Sequence, residues 1–316
     1  MSDMTAAGER AADRIAAGAE IGFIGLGKMG HPMSRRLVEA GYVVRGYDAS
    51  EDGLKAWAAT AGSGAGDGAP GGGAIAASGV AAAAEGVPAV ILMLPDSSVV
   101  TSVLADVWPA LSRGAVVVDM SSSVPQSTRS LAARARELGI AFVDAPVSGG
   151  VRGAEHGRLT IMAGGSSGDV DRVRPLLDVL GTRVAHVGDV GAGHAVKALN
   201  NLLSATHLLA TSEAMAAAAA FGLDIPKVLE VINTSSGRSG SSENKWPNFI
   251  LPETFDSGFT MRLMVKDMRI ALGLAESAGT ESVLSATAVD LWTEAAEALP
   301  DDPDHTEIAR WTGRQA

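Results

Sequence analysis

The stretch Ile21-Gly22-Phe23-Ile24-Gly25-Leu26-Gly27-Lys28-Met29-Gly30 decides how the chain begins to fold. A short β-type apolar run leads into G-x-G-x-x-G, and Met33, Leu37 and Ala40 then recur at helical spacing. Strand, glycine turn and helix in that order make a dinucleotide-binding unit. Gly25 allows the tight turn, Gly27 lets a pyrophosphate approach the backbone, and Gly30 lets the helix pack on the strand. The helix N-terminus then offers unpaired N–H groups to the anion. In a chain with 38 glycines the pattern alone is weak, but its placement strengthens it. So does Asp48, which ends the next apolar run about 20 residues beyond the first glycine. An acid there accepts hydrogen bonds from the adenosine ribose and repels a 2′-phosphate. Arg45 falls inside the strand and no arginine directly follows Asp48, so NAD is favoured over NADP. The other reading of Asp48 is a turn or helix cap. His31, on the first helical turn, reads as solvent-facing.

Outward from this unit, β-type runs recur at 42–47, 89–94, 115–119, 141–144, 159–163 and 184–187, mostly separated by helical stretches. Apolar runs without polar alternation suit strands covered on both faces, and strand–helix alternation gives a doubly wound α/β Rossmann-type sheet. Beyond about Gly191 the pattern turns helical. A long helix is expected from His194 to Phe221, with a stop at Gly222 and Pro226 in the first turn of the next. Further helices are expected over 262–278, 283–298 and 306–312, with no strand after Val187. The organisation expected is therefore a flexible extension over 1–19, a nucleotide-binding domain over 20–189 and an all-α domain over 190–316. Residues 61–73, with seven glycines and neither Lys nor Arg, read as a flexible insertion rather than a second phosphate loop.

Composition narrows the class. The 316 residues allow two domains. With 25 Lys+Arg against 36 Asp+Glu the net charge is −11, a poor balance for binding nucleic acid. The absence of cysteine excludes disulfides, thiolate metal sites and a cysteine nucleophile, and no metal is expected. No window approaches a membrane span, and the acidic first twenty residues do not read as a signal or transit peptide. A soluble, cytoplasmic protein is expected.

Three further segments carry chemistry. Asp144-Ala-Pro-Val-Ser148-Gly149-Gly150, continuing to Ala154, follows a predicted strand; its N–H groups suit an anion-binding nest, or else a plain glycine-rich turn. Gly191 to Asn201 opens the long helix, where Lys197 and Asn201 stand four apart on one face. Lys197 is nearly alone as a charge in an apolar segment. Partial desolvation near a helix N-terminus lowers an amine's pKa and suits it to exchange a proton with a hydroxyl. The alternative is a lysine snorkelling from an interdomain surface. Lys266-Asp267, on a helix, reads on its own as a solvated face.

Together these segments resemble the β-hydroxyacid dehydrogenase family, typified by 3-hydroxyisobutyrate dehydrogenase. The family's G-x-G-x-M-G-x-x-M is matched by Gly25–Met33, including Met29, its D-A-P-V-S-G-G-x-x-G-A by 144–154, its G-x-G-x-x-x-K-x-x-N-N by 191–201, and its K-D by Lys266-Asp267. The resemblance runs from Glu20 to about Leu299. It implies a 6-phosphogluconate dehydrogenase-like architecture: a Rossmann-type domain and an all-α domain joined by the long helix, with substrate in the cleft between them. Lys197 becomes the general acid/base and Asn201 a substrate-orienting partner. Ser148, Gly149 and Gly150 would bind the substrate carboxylate. Leu26, Leu94, Pro95, Ser122, Phe259, Lys266 and Asp267 join Gly25, Gly27, Met29, Gly30 and Asp48 around the NAD and the active site. A homodimer or homotetramer is implied.

The reaction implied is reversible oxidation of a small 3-hydroxy acid to a semialdehyde or keto acid. The segment Ser235-Ser-Gly-Arg238-Ser-Gly240-Ser-Ser242 looks like that of 3-hydroxyisobutyrate enzymes more than that of tartronate semialdehyde reductases, so a 3-hydroxyisobutyrate-like substrate is favoured. Those enzymes often carry a bulky aromatic where Gly240 stands; the space freed, with Arg238 or Lys245 reaching into it, points to a larger or more polar acid. Alternatives are a tartronate or succinic semialdehyde or glyoxylate reductase of the same family, and a 6-phosphogluconate-type enzyme, for which cations are few. From other classes come an imine reductase, opposed by Lys197 and Asp48, and a non-catalytic NAD-binding module, opposed by Lys197, Asn201 and Ser148.

Overall fold

The computed structural model describes residues 14–61 and 72–313. The chain divides into two units, Met1–Lys197 and Ala198–Ala316. Among the described residues the first carries nine strands: β1 (Glu20–Ile24), β2 (Val43–Tyr47), β3 (Gly73–Ala76), β4 (Ala89–Leu92), β5 (Val116–Asp119), β6 (Ala141–Asp144), β7 (Val147–Ser148), β8 (Leu159–Gly164) and β9 (Gly181–Gly188). The parallel part runs β3-β2-β1-β4-β5-β6, the doubly wound order with its switch point between β1 and β4. β8 continues the sheet antiparallel to β6, and β9 pairs parallel with β8.

Strands β1, β4, β5, β6 and β8 are buried on both faces, which is why they read as unbroken apolar runs. Ile21, Phe23, Ile91, Val116 and Val118 enter one core with Met33 and Leu37 of α1 (Gly30–Glu39) and Leu176 and Leu177 of α7 (Ser167–Leu180). Their neighbours Ile24, Val90, Leu92 and Val117 enter the other. There they meet α3 (Val80–Ala84), α4 (Ser97–Val107) and α5 (Pro125–Leu138) through Ala83, Val100, Leu104 and Ala135. At about 25 cal/mol per Å² of apolar surface, this two-sided burial dominates the unit's stability. Trp57, on α2 (Glu51–Ala61), is fully buried and lies on Gly46, where a Cβ would come within 2.5 Å of its ring.

The second unit is helical. Its part of α8 (Ala192–Ala220) packs with α9 (Ile225–Asn233), a widened π-helical stretch Ser241–Ile250, α10 (Met261–Ser277), α11 (Val283–Ala298) and α12 (Ile308–Thr312). Met261, Met264, Met268, Trp292 and Trp311 form its centre. The helices expected over 262–278 and 283–298 are present within a residue. The only β pairing described after Gly188 is an isolated bridge between Thr260 and Asp304.

Three expectations need correction. Residues 14–19 are not outside the fold: Ile15 is 5% exposed, its N–H donates to the Arg172 carbonyl, and its carbonyl accepts from the Tyr42 hydroxyl. Residues 1–13 of the expected extension lie outside the described residues. Of the 61–73 insertion, 62–71 lie outside them too, but Ala61 closes α2, Gly72 packs on the Val38 carbonyl and Gly73 opens β3. The expected boundary near Asp189 falls in the turn between β9 and α8, and the compact units divide a few residues beyond it, after Lys197. The expected helix over 306–312 begins as a tighter 3₁₀ turn, His305–Glu307, where the Asp304 side chain accepts from the Thr306 N–H.

Candidate active site

The three glycines of the loop after β1 serve different ends. Gly25 has φ +98, and a Cβ on it would lie 2.2 Å from the Met93 carbonyl oxygen; one on Gly30 would lie 1.8 Å from that of Gly25. Both are required by the fold. A Cβ on Gly27 would meet nothing within 4 Å. That opening, beside the start of α1, fits the pyrophosphate of a dinucleotide, which needs the bare backbone. The loop is braced from beneath. Trp57 Nε1 donates to Ser34 Oγ at 2.8 Å, and Ser34 Oγ donates to the Gly30 carbonyl at 2.7 Å. Leu26 is buried and Met29 half-buried.

The Asp48 carboxylate accepts from the Leu26 N–H at 2.6 Å and from the Ser50 N–H at 2.8 Å. The turn-cap reading holds: the carboxylate caps the turn and ties that turn to the glycine loop. A carboxylate has about four acceptor positions, so capacity remains for ribose hydroxyls. Arg45 is committed elsewhere, with Nε 2.5 Å from Glu20 Oε1 and a guanidinium N–H on the Glu85 carbonyl. That hydrogen bond to Glu20 holds its pKa above the usual value. His31 is half-buried rather than solvent-facing, its Nε2 2.9 Å from Thr60 Oγ1; burial, then Arg35, lower its pKa. A groove of about 600 Å³ joins Leu26, Gly27 and Lys28 to Val151 and Glu155 of α6 (Gly150–Glu155).

The loops at the carboxyl ends of β4, β5 and β6 carry the next residues. The Leu94 N–H donates to Ser121 Oγ at 2.9 Å; Pro95 is exposed and Ser122 half-buried. After β6, Ser148 is half-buried and Gly149 and Gly150 are exposed, with φ of +136 and +62. Successive N–H groups in left-handed conformations form a concavity for an anion. Asp144, fully buried, does not face that concavity. Its Oδ1 accepts from the Gly191 N–H at 2.7 Å and its Oδ2 from the His194 N–H at 2.9 Å. The carboxylate thereby fixes the first turn of α8, whose partial positive end favours the charge. Lys197 follows on that helix and is half-buried.

In the helical unit, Asn201 is 6% exposed and its Nδ2 donates to Asp267 Oδ2 at 2.5 Å. Lys266 Nζ lies 3.0 Å from Asp267 Oδ1. Asp267 is 1% exposed, so the pair is no solvated face: the lysine holds a carboxylate that in turn fixes the Asn201 amide. Phe259 stacks edge-on against His305, with centroids 5.7 Å apart. His305 Nδ1 lies 3.0 Å from the Phe259 carbonyl, and burial lowers its pKa despite a hydrogen bond with Asp304. Asp304 is itself partly desolvated, but bonds from His305 and Thr306 hold its carboxyl well below the usual range. Arg238 is exposed, 3.6 Å from Glu243. Lys245 lies over the Phe249 ring; burial pushes its pKa down against the pull of Asp304. A Cβ on Gly240 would meet nothing within 4 Å.

Within the first unit the structure thus gathers the glycine loop with Asp48, and the β4–β6 loops with the start of α8; within the second it gathers Asn201, Lys266 and Asp267. Sequence reasoning missed His194, Asp119, Thr128 and the bracing role of Asp144. The available signal was a lone carboxylate ending each of two apolar strands, Val116–Asp119 and Ala141–Asp144.

Comparison with known proteins places these features in context. Residues 20–188 match the family model described as the NAD binding domain of 6-phosphogluconate dehydrogenase. Residues 191–312 match the one described as NAD-binding of NADP-dependent 3-hydroxyisobutyrate dehydrogenase. A 2-(hydroxymethyl)glutarate dehydrogenase of Eubacterium barkeri is 39% identical over 265 residues, 83% of each chain. An NAD-dependent L-serine dehydrogenase of Pseudomonas aeruginosa is 35% identical over 285 residues, 86% of this chain and 91% of that one. The solved structure of a Mycobacterium tuberculosis 3-hydroxyisobutyrate dehydrogenase with L-serine superposes with a TM-score of 0.82 at 31% identity, covering 93% of this chain and 98% of that one.

Proposed function

The chain belongs to the β-hydroxyacid dehydrogenase family typified by 3-hydroxyisobutyrate dehydrogenase, and on that premise we propose that it oxidises a small 3-hydroxy acid with NAD, reversibly, using Lys197 as general acid/base. The observation that carries this reading is the Asp144 clamp. One buried carboxylate fastens the helix of Lys197 to the strand end that leads into the Ser148–Gly150 anion nest. The nest receives the substrate carboxylate, Lys197 takes the hydroxyl proton in the oxidative direction, and Asn201, its amide fixed by Asp267, orients the acid. The nicotinamide, when bound, supplies the acceptor for the hydride that leaves the carbinol carbon. NAD rather than NADP is favoured by the Asp48 carboxylate beside the glycine loop and by an Arg45 already bound to Glu20.

Chemistry shared by the acids that these relatives act on or hold supports a substrate class. 3-Hydroxyisobutyrate, L-serine and 2-(hydroxymethyl)glutarate are all HOCH₂–CHR–COO⁻, differing in R. The missing side chain at Gly240 supports an R larger or more polar than methyl, with Lys245 or Arg238 meeting its outer end. A panel of such acids with NAD and NADP tests this; preference for 3-hydroxyisobutyrate over longer or hydroxylated acids would count against it. Lys197→Ala should cut turnover by about 10²–10⁴-fold and leave NAD affinity within about threefold. Near-normal turnover in that variant refutes the assignment.

A further inference from the structure

His194 is 1% exposed and belongs to no step described above. It sits between the ends of β5 and β6, in the first turn of α8. Its Nε2 lies 3.1 Å from the Ser121 carbonyl, and its Nδ1 lies 2.8 Å from Thr128 Oγ1 on α5. The two buried carboxylates flank the ring: Asp119 Oδ2 is 3.8 Å from Nε2 and Asp144 Oδ2 is 3.8 Å from Nδ1. A carbonyl can only accept, so Nε2 carries a proton toward Ser121, while Nδ1 shares a hydrogen bond with the Thr128 hydroxyl, which also reaches the Val124 carbonyl at 3.2 Å.

What this ring connects gives it a role. Asp119 holds the β5 loop through the Ser121 N–H at 3.0 Å and Ser123 Oγ at 2.9 Å. Ser121 Oγ accepts from the Leu94 N–H at the end of β4, while the Ser121 carbonyl receives His194. The backbone N–H of His194 is bound to Asp144, which leads into the nest. One imidazole thus links the β4 and β5 loops to the helical turn that carries Lys197, at the carboxyl ends of the strands where ligands bind in this architecture.

We propose that His194 is a positioning residue for the dehydrogenation proposed above: by linking the Ser121 carbonyl and Thr128 to the start of α8 it sets the place of Lys197 relative to the Leu94 and Ser122 loops. The inference rests on that functional reading. A shift of about 1 Å in a reacting group costs up to about 10²-fold in rate. His194→Ala should therefore lower kcat about 10–100-fold while KM for the acid moves less than about threefold. His194→Gln keeps a donor for the Ser121 carbonyl and a polar group for Thr128, and should keep kcat within about threefold of the parent chain. Amide hydrogen exchange at 121–124 and 191–197 should quicken in His194→Ala and stay near the parent in His194→Gln.

The idea is overturned by a folded His194→Ala with kcat within about twofold, by a loss that falls on KM instead, or by a His194→Gln as slow as His194→Ala. Should His194→Ala not fold, Thr128→Val removes one partner at constant shape; kcat must fall at least about fivefold, and an unchanged kcat overturns the proposal. If the parent chain oxidises no acid of the class with either nicotinamide, the functional reading fails first. The exchange data then decide His194 separately, and unchanged exchange in His194→Ala refutes the brace.

Discussion

Two alanine substitutions in the glycine loop should separate folding from binding. In Gly30→Ala the new methyl would lie 1.8 Å from the Gly25 carbonyl oxygen, a backbone atom that cannot swing aside. Overpacking of this kind costs about 1–3 kcal/mol or more, and at about 2–4 °C per kcal/mol Tm should fall by roughly 5–10 °C. In Gly27→Ala the methyl meets nothing within 4 Å, and Gly27 is not among the positive-φ glycines. Its stability should stay within about 0.5 kcal/mol of the parent. The same methyl occupies the space where a pyrophosphate must approach the N–H groups. Loss of one charge-assisted hydrogen bond, about 1.5–3 kcal/mol, corresponds to roughly 10–150-fold in Kd. Calorimetric titration with NAD gives that number directly. Thermal unfolding gives a second: ligand at about 100 times Kd stabilises by roughly 2.7 kcal/mol, a shift that Gly27→Ala should largely lose at the same concentration. Parent-like NAD affinity in Gly27→Ala, or destabilisation equal to that of Gly30→Ala, would refute the division of labour among the three glycines.

Asp48→Ala should weaken NAD by about tenfold or more while NADP weakens little, measured as the ratio of the two Kd values; a constant ratio refutes the ribose role. Gly240→Trp should raise KM for acids with a long or polar R and spare 3-hydroxyisobutyrate, since only the former need the open space. His305, its pKa lowered by burial, binds its proton more readily when unfolded; its contribution is present above about pH 6.5 and lost as pH falls toward the folded value. Unfolding free energy should therefore fall below about pH 6.5 by up to about 1.4 kcal/mol per unit, and His305→Gln should remove that part of the slope in urea titrations at pH 5 to 8. An identical slope in the variant refutes the assignment.

The order of elements was legible because it rests on local regularities. Strands covered on both faces appear as runs such as Val116-Val-Val, and the long helix shows its period over many turns. The parts that escaped are stabilised by tertiary partners rather than by local pattern. β3 is Gly73-Ala-Ile-Ala76, half exposed and paired to β2, and β7 is two residues held by β8. The stretch Ser241–Ile250 keeps a helical course through Pro247 only by widening its turn, with Trp246 and Ile250 buried as anchors. Ile15 joins the core through a chain reversal that no periodicity announces.

The site divides along the same line. Residues that present groups to a ligand lie within one turn or one helix of each other, so Gly25 to Gly30, Ser148 to Gly150 and Lys197 to Asn201 can be read as short strings. Residues that hold those strings in register meet across long separations: Asp144 with the Gly191 and His194 N–H groups, His194 with the Ser121 carbonyl, Asp267 with Asn201. A motif mixes the two kinds. Asp144 is a fixed position of the same motif as the Ser148–Gly150 nest, yet its two oxygens are turned to α8. Buried and doubly hydrogen-bonded, it is costly to unpair, by about 1–3 kcal/mol or more for each group left unsatisfied. Asp144→Asn should therefore lower both Tm and kcat, whereas Ser148→Ala should raise KM at constant Tm. A variant pair in which these effects are exchanged would mean that Asp144 faces the substrate after all.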